Sequence, residues 1–322
     1  MKKVIKFLVS LLVLTLVAML FANLTNMTEE ETIKQMHFEQ IDQECHVDLS
    51  EEMTFPAIAL SYKTHTYKTR KGFQTFDTPL LTYGNIGIVQ AQPKAGKSFL
   101  MSLLSSVFLS KTGQNKYGGD LKGHSRGGCV IHIDTEQGKF HAQRMFRRAI
   151  NMNEESDLGC YHTYALRQEN FKTKREFISW KLKDLVDNGQ TIDLILIDGV
   201  ADLCVDVNDN VDTRLLVEEL MRWSAVYNCA VLGVIHTNYN STKATGHLGS
   251  HLQKKVETLI NINRDEDIVS VECQMSRNKS FDTFSFSVDE YGMPKINEDL
   301  DVVLGLDNNT KKESKWKQQK AF

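Results

Sequence analysis

Residues 86–98 have the sequence Ile-Gly-Ile-Val-Gln-Ala-Gln-Pro-Lys-Ala-Gly-Lys-Ser, in which an apolar strand pattern runs into a short polar loop. Residues 99–109 then follow a helical pattern. A strand, a loop ending in Gly-Lys-Ser and a helix, in this order, are typical of a phosphate-binding P-loop. In such a loop successive backbone N–H groups surround an anion, and the helix adds the partial positive charge of its N-terminus. The stretch therefore predicts a phosphate site.

We expect two side chains of the loop to have different roles. Lys97 is expected to reach the β- and γ-phosphates of a nucleotide, and the Ser98 hydroxyl to hold Mg²⁺. The first position of the usual pattern is alanine here, which has less backbone freedom than glycine but is small enough to leave the loop open. The predicted nucleotide-binding residues are Ala91, Gln92, Pro93, Lys94, Ala95, Gly96, Lys97 and Ser98.

A second signal comes from Asp198, which ends the apolar run at residues 194–197. We expect its strand to lie beside the P-loop strand, so that the carboxylate holds Mg²⁺ through water. The alternative is a simple cap of the turn Asp198-Gly199.

Glu136 follows another buried strand pattern, at the edge of the sheet where open α/β folds bind ligands. It is therefore placed to orient and deprotonate the water that attacks the γ-phosphate.

His236 also ends an apolar strand pattern. An imidazole at this position can donate a hydrogen bond to the γ-phosphate and so respond to its presence. The alternative is a histidine satisfied within the core. The strand-end position leaves both interpretations open.

The fold class follows from the alternation of strand and helix patterns along a chain long enough for a large core. Alternating elements favour a mostly parallel sheet with helices on both faces. Three short strand patterns after residue 250 are expected to be antiparallel additions at one edge of the sheet. Residues 64–71 are expected at a hairpin tip, and residues 111–128 in a loop. Strands are predicted at 55–62, 129–134, 192–197, 229–235, 259–262, 268–273 and 281–288, and helices at 141–151, 171–188 and 213–227.

Charge and cysteine content narrow the class of protein. The formal net charge of −3 excludes a strongly basic nucleic-acid coat, so that any polyanion site must be a local patch. The six cysteines are scattered without a Cys-x-x-Cys pair. We expect them to be reduced residues of a cytoplasmic protein, with no metal or disulfide framework.

The N-terminal sequence argues against a cytoplasmic protein. Three lysines precede an uncharged run at residues 7–22, a pattern that resembles a signal peptide or a short membrane anchor. Three accounts compete: an over-extended start with the true one at Met27, a membrane tether through residues 4–22, or export. We favour Met27, because an acidic segment follows it and phosphate chemistry needs cytosolic nucleotide.

Together these motifs resemble the RecA-like P-loop ATPase core, and within it the RepA-type hexameric replicative helicases of plasmids and other mobile elements. The resemblance covers about residues 55–295. It also includes the segment 246–250 ahead of an expected helix, and residues 276–279 after a late strand. It implies ATP and Mg²⁺ as cofactors, a homo-oligomeric, hexameric ring that hydrolyses ATP at its subunit interfaces, and movement on single-stranded DNA.

The resemblance also assigns roles to residues. Glu136 matches the catalytic glutamate, His236 matches the γ-phosphate sensor, and residues 236–250 match a mobile loop facing DNA. Arg277, with Lys279, lies where such rings often supply a basic residue to a neighbour's nucleotide, which makes hydrolysis depend on assembly. The alternative is an ordinary surface turn. The predicted catalytic residues are Lys97, Glu136, His236 and Arg277.

Two other basic segments of the sequence are candidates for contact with DNA. Arg144, Arg147 and Arg148 lie on one predicted helix, and the segment 311–317 mixes lysines with a tryptophan. Phosphate neutralisation and base stacking would give salt-sensitive binding. The alternative is a solvated helix face and a disordered end.

The expected organisation is an apolar segment at residues 1–26, an acidic arm at 27–54, the RecA-like ATPase domain at 55–300 and a basic flexible tail at 301–322. Two other functions stay open. One is a RecA-like recombination or repair ATPase that forms filaments on DNA. The other is a membrane-tethered regulatory ATPase that does not use DNA.

Overall fold

The computed structural model describes residues 28–69, 72–154, 160–237 and 244–297. The apolar segment predicted at residues 1–26 and the basic tail predicted at 301–322 lie outside the described residues. In the described part of the chain, no helix combines the length and the apolar character needed to cross a membrane. Two compact units are present, Met1–Phe55 and Pro56–Phe322.

Helix α1 (Glu29–Cys45) belongs to the first unit and starts at a capping box. The Thr28 hydroxyl accepts a hydrogen bond from the Glu31 N–H at 3.2 Å, and the Glu31 carboxylate accepts one from the Thr28 N–H at 2.8 Å. These reciprocal bonds satisfy two backbone donors at the start of the helix.

In the second unit, a nine-stranded sheet has the order β12-β11-β10-β9-β3-β8-β7-β5-β6. The six strands from β9 to β6 in that order are parallel, and the remaining three are antiparallel. The predicted fold class, a mostly parallel sheet with antiparallel strands at its C-terminal end, is confirmed. The strands of this sheet are β3 (Ile86–Ala91), β5 (Cys129–Asp134), β6 (Tyr161–Ala165), β7 (Ile192–Asp198), β8 (Ala230–His236), β9 (Thr258–Asp265), β10 (Ile268–Ser276), β11 (Phe284–Val288) and β12 (Pro294–Ile296).

Helices cover both faces of the large sheet. Neighbouring residues of β3 show the alternation: Val89 packs in the apolar cluster that contains α2 and α3, whereas Ile88 packs in the cluster that contains α4, α5 and α6. Successive side chains of a strand point to opposite faces, so these parallel strands are apolar on both sides. The helices are α2 (Lys97–Leu109), α3 (Lys139–Asn151), α4 (Phe171–Asp187), α5 (Asn210–Val226) and α6 (Gly246–Lys255), with a 3-10 helix at Val200–Leu203.

A second, three-stranded sheet has the order β2-β1-β4 and consists of β1 (Ile58–Thr69), β2 (Gly72–Thr82) and β4 (Leu121–Gly123). The region expected at a hairpin tip, 64–71, is therefore largely strand, because β1 and β2 form a long antiparallel hairpin. The expected loop at 111–128 contains β4, and the helix expected after residue 250 already begins at Gly246.

Two expectations about strand neighbours are wrong. The strand ending in Asp198, β7, is not adjacent to the P-loop strand β3, because β8 lies between them. Of the late strands, β9 pairs parallel with β3, and only those after it are antiparallel additions. The patterns also miss β6, where Tyr-His-Thr-Tyr-Ala forms an edge strand without an apolar run. Parallel neighbours on either side of β3 align the carboxyl ends of β3, β5, β7 and β8 at one edge of the sheet.

Candidate active site

The loop between β3 and α2 has the backbone of an anion cradle. Gly96 precedes the first turn of α2 with φ +99°, and Lys94 has φ +64°. The Phe99 and Leu100 N–H groups donate to the Gly96 carbonyl at 3.0 and 3.1 Å. Ala91 is still part of β3 and is not among the residues with positive φ. Alanine is compatible with that position because an extended backbone needs no glycine there.

Lys97 is 7% exposed and points across the mouth of the loop. Its ammonium donates to the Gln92 carbonyl at 3.0 Å and contacts His236 Nδ1 at 3.1 Å. Burial lowers the pKa of Lys97, while the nearby Asp198 and Glu136 carboxylates raise it. The P-loop lysine is thus held by protein groups at the position from which it would reach phosphate.

Glu136 and His236 meet at the carboxyl edge of the sheet, with His236 Nε2 3.2 Å from Glu136 Oε1. Because an ammonium can only donate, His236 Nδ1 accepts from Lys97 and its Nε2–H donates to Glu136. That hydrogen bond is the main reason why the pKa of Glu136 is lowered, with the positive charge of Lys97 contributing less. The three predicted catalytic side chains on this edge therefore form one continuous chain of hydrogen bonds.

Ser98 and Asp198 form a second pair beside this chain. The Ser98 hydroxyl donates to Asp198 Oδ2 at 2.8 Å. The pKa of Asp198 is raised to about 6, mainly by burial and to a smaller extent by the neighbouring Asp134 and Glu136 carboxylates, against the bond from Ser98. A carboxylate that is desolvated among like charges favours a cation beside it. The two predicted metal-binding residues are thus in contact.

The loop that carries Glu136 is fixed by neighbours in its motif to which the sequence analysis assigned no role. Asp134 Oδ1 accepts from the Glu136 N–H at 3.0 Å and from the Gln137 N–H at 2.7 Å. The Thr135 hydroxyl lies 2.9 Å from the carbonyl oxygen of Gly199, at the end of β7. These bonds orient the backbone on both sides of the glutamate. A signal was available, because Asp134 and Thr135 directly precede Glu136 at the end of an apolar run.

Lys174 is the other residue that the sequence patterns miss. It lies on α4 and is only 6% exposed, with its ammonium 3.5 Å from the Thr135 carbonyl oxygen. Its positive charge contributes to the lowered pKa of Glu136. No signal distinguishes it in the sequence, since it is one of several cationic residues in the first turns of a helix.

The donor set fits Mg²⁺ bound together with a nucleotide. Ser98 and Asp198 supply hard oxygen ligands, the type that Mg²⁺ prefers. Asp134 Oδ2 is buried and has no hydrogen-bond partner among the described residues, so a hydrated cation nearby would satisfy it. Within the described ranges, no group of three or more His, Cys, Asp and Glu side chains could hold a metal ion. This is compatible with Mg²⁺, which keeps water and phosphate oxygens among its ligands.

Other predicted residues lie elsewhere. Arg277 follows β10 at the opposite, amino edge of the sheet, where its guanidinium donates to the Lys255 carbonyl at 2.8 Å. It is therefore not part of this chain's own P-loop site. Arg148 stacks on the Phe99 ring at 4.2 Å and donates to the Ser102 hydroxyl, so it packs against α2. Residues 238–243 of the expected DNA-facing loop lie outside the described residues.

Comparisons with known proteins agree with this geometry. A family model described as AAA domain matches residues 76–242, slightly more than half of the chain. No curated protein matches the sequence. The matched region includes the P-loop, the Glu136 loop, Asp198 and His236, but not Arg277. The chain belongs to the AAA domain family, whose members are AAA-type P-loop ATPases.

Proposed function

We propose that this protein hydrolyses ATP in a RecA-like ring of identical subunits and uses the energy to move on single-stranded DNA, as a helicase or motor. The family supports nucleotide hydrolysis. The ring, the DNA and the RepA-type assignment are the further steps of the proposal. They rest on the resemblance of the motifs and on the position of Arg277.

The observation that carries the ATPase assignment is the hydrogen-bonded chain Lys97–His236–Glu136 beside the Ser98–Asp198 pair. Backbone N–H groups of the loop and the N-terminus of α2 would bind the phosphates. With nucleotide, Mg²⁺ neutralises charge on the β- and γ-phosphates. Ser98 and Asp198 would hold that ion.

Glu136 is the general base of the proposed reaction. Its carboxylate is ionised at neutral pH, as an ordinary glutamate is, and the bond from His236 lowers its pKa further. In that state it can accept a proton from water. Asp134 and Thr135 fix the backbone beside it, so that its orientation is set before a substrate arrives.

His236 links the base to the phosphate site. Without nucleotide, its two ring nitrogens contact Lys97 and Glu136. A γ-phosphate would compete with His236 Nδ1 for the Lys97 ammonium, since an anion is a stronger acceptor than a neutral ring nitrogen. Without the Lys97 contact the His236 ring could turn its Nε2–H from Glu136 to the phosphate, which would free the carboxylate for water. This coupling would restrict the base to the nucleotide-bound state.

Arg277 supports the ring because it lies at the edge of the sheet opposite its own P-loop. An arginine placed there can reach phosphate only in another subunit. An arginine supplied in trans stabilises charge in the transition state, which makes hydrolysis depend on assembly.

The direct test is ATP turnover by the full chain with and without a single-stranded oligonucleotide. The proposal expects turnover in both conditions, with strong stimulation by the oligonucleotide. Turnover that is indifferent to DNA would remove the motor part and leave the ATPase. Absence of turnover in both conditions would remove the whole proposal. Arg277→Ala, compared with Arg264→Ala, is expected to lose turnover without losing ATP binding.

A further inference from the structure

The β1–β2 hairpin extends beyond the body of its sheet as a two-stranded ribbon, which we define as residues 64–69 and 72–76. Its base is anchored: Leu60 and Leu81 are buried, and the Tyr62 ring packs on Phe284 with ring centroids 4.5 Å apart. The third strand, β4, pairs with β1 only at residues 60–62. At about 3.3 Å per residue, residues 64–69 extend about 20 Å beyond that support.

The ribbon exposes aromatic rings. Residues 72–76 are all exposed, and the Phe73 and Phe76 side chains are 76% and 51% exposed. Phe73 pairs directly with Lys68 across the two strands, so the ring and the ammonium share a face. Phe76 pairs with His65. It is three positions from Phe73 along β2 and therefore lies on the other face of the ribbon. One face of the ribbon therefore presents the Phe73 ring beside the Lys68 ammonium, and the other presents the Phe76 ring opposite His65, whose side chain is 27% exposed.

The charge of the ribbon is opposite to that of the protein. The described residues of the ribbon contain Lys68 and no Asp or Glu, whereas the whole chain has a net charge of −3. Arg70 and Lys71, which follow in the sequence, lie outside the described residues. One carboxylate lies at the base of the ribbon, where Asp77 binds Lys122 at 2.8 Å, and another lies beside it, where Asp282 is 3.7 Å from His65.

Cations and exposed rings together select a ligand that carries both phosphates and flat apolar surfaces. Lysine and arginine neutralise phosphates, and aromatic rings stack on bases that are free of a duplex. An inorganic anion would use the cations but not the rings. We propose that the ribbon is a contact surface for single-stranded DNA, with Phe73 and Phe76 stacking on bases and Lys68 pairing with phosphate. The choice of DNA rests on the proposed function.

The experiment measures binding of a fluorescein-labelled single-stranded oligothymidine to the full chain by fluorescence anisotropy over a range of salt concentrations. The test variant combines Lys68→Ala with Phe73→Ala. The control combines Lys295→Ala with Tyr291→Ala, which removes an exposed lysine and an 80% exposed ring from the β11–β12 hairpin. We expect the dissociation constant to rise about tenfold or more in the test variant only. We also expect the slope of log affinity against log salt to become shallower by about 0.7.

Two companion measurements separate the causes of a loss. ATP turnover without DNA should be unchanged in the test variant, and its sedimentation should match that of the wild type. Unchanged DNA binding by the test variant overturns the inference and leaves the proposed function intact. DNA binding lost together with assembly also overturns it, because the ribbon would then be a contact between copies. A wild type that binds no single-stranded DNA overturns both the inference and the DNA part of the proposed function.

Discussion

The catalytic geometry proposed for Glu136 is sensitive to a single methyl group at Gly199. This glycine follows β7 with φ +106°, and a Cβ there would lie 2.2 Å from Thr135 Oγ1 and 2.9 Å from Glu136 Cγ. These atoms would have to separate by about 1 Å to reach ordinary non-bonded distances. In Gly199→Ala the methyl group therefore acts directly on the glutamate and on the threonine that fixes its loop.

Gly189→Ala is the matched control. Gly189 has φ +79°, and a Cβ built there has no atom within 4 Å, so alanine meets backbone strain without a clash. For an alanine at positive φ we expect strain of about 1–2 kcal/mol, partly offset by a less flexible unfolded chain. Gly199→Ala adds the weakening of Thr135 hydrogen bonds, at about 1 kcal/mol each. Its free energy of unfolding should therefore fall by about 2–4 kcal/mol.

Turnover should separate the two variants further. A misplacement of about 1 Å costs roughly 100-fold in rate. Urea denaturation and ATP turnover, measured where circular dichroism shows both variants folded, provide the comparison. We expect near wild-type turnover for Gly189→Ala and about a 100-fold loss for Gly199→Ala. Equal turnover of the two folded variants would refute the reasoning, because the clash would then have no effect on the base.

Three further predictions use other parts of the site and the core. Lys174→Met should lower turnover about tenfold, because it removes the charge and the hydrogen bond to the Thr135 carbonyl that support Glu136; Lys172→Met, on the exposed side of α4, should not. Chelation of Mg²⁺ should abolish the rise in melting temperature caused by ATP, and Ser98→Ala should reduce that rise; an undiminished rise in both cases would exclude Ser98 as a ligand. Burial lowers the pKa of His132 to about 3, whereas an unfolded imidazole titrates near 6.5. Between these values the unfolded chain binds more protons, so the free energy of unfolding should fall as pH falls, by up to about 1.4 kcal/mol per pH unit. Urea titrations from pH 7 to 5 should show a shallower fall in His132→Gln, and an identical fall in both proteins would contradict this.

The candidate site was predictable to the extent that its signals are local. Glu136, Asp198 and His236 stand at or just after the end of an apolar run, Lys97 and Ser98 belong to the P-loop motif, and parallel strands bring such residues to one edge. The structure joins Lys97, His236 and Glu136 in one chain of contacts and places Ser98 against Asp198. Their catalytic roles stay a proposal, because the contacts establish position and not chemistry.

The remaining parts depend on tertiary structure. The sequence does not determine that β8 lies between β3 and β7, because other strand orders would require the same apolar pattern in each strand. Lys174 matters only because α4 packs where its ammonium reaches the Thr135 carbonyl. Strand β6 escapes a search for apolar runs because it is an edge strand with partly exposed side chains. Arg277 shows the reverse: its motif predicts a role that only a second subunit completes.

The ribbon illustrates a different limit. Its sequence, alternating threonines with basic and aromatic residues, predicts a hairpin. How far the hairpin extends depends on where its support ends. Because β4 pairs only with residues 60–62, the two strands beyond that point have no further strand partner, and Phe73 and Phe76 are exposed on opposite faces. The sequence alone does not reveal that these rings are exposed, because their exposure depends on that geometry.

The central claim is that Glu136 activates water for ATP hydrolysis, and Glu136→Gln tests it most directly. The amide keeps the size of the side chain and can still accept from His236, but it cannot take a proton. We expect ATP binding, measured with a fluorescent ATP analogue, to be unchanged and turnover to fall by about 100- to 10,000-fold. Glu290→Gln, an exposed position on a turn, should behave as the wild type. Wild-type turnover by Glu136→Gln would contradict the account.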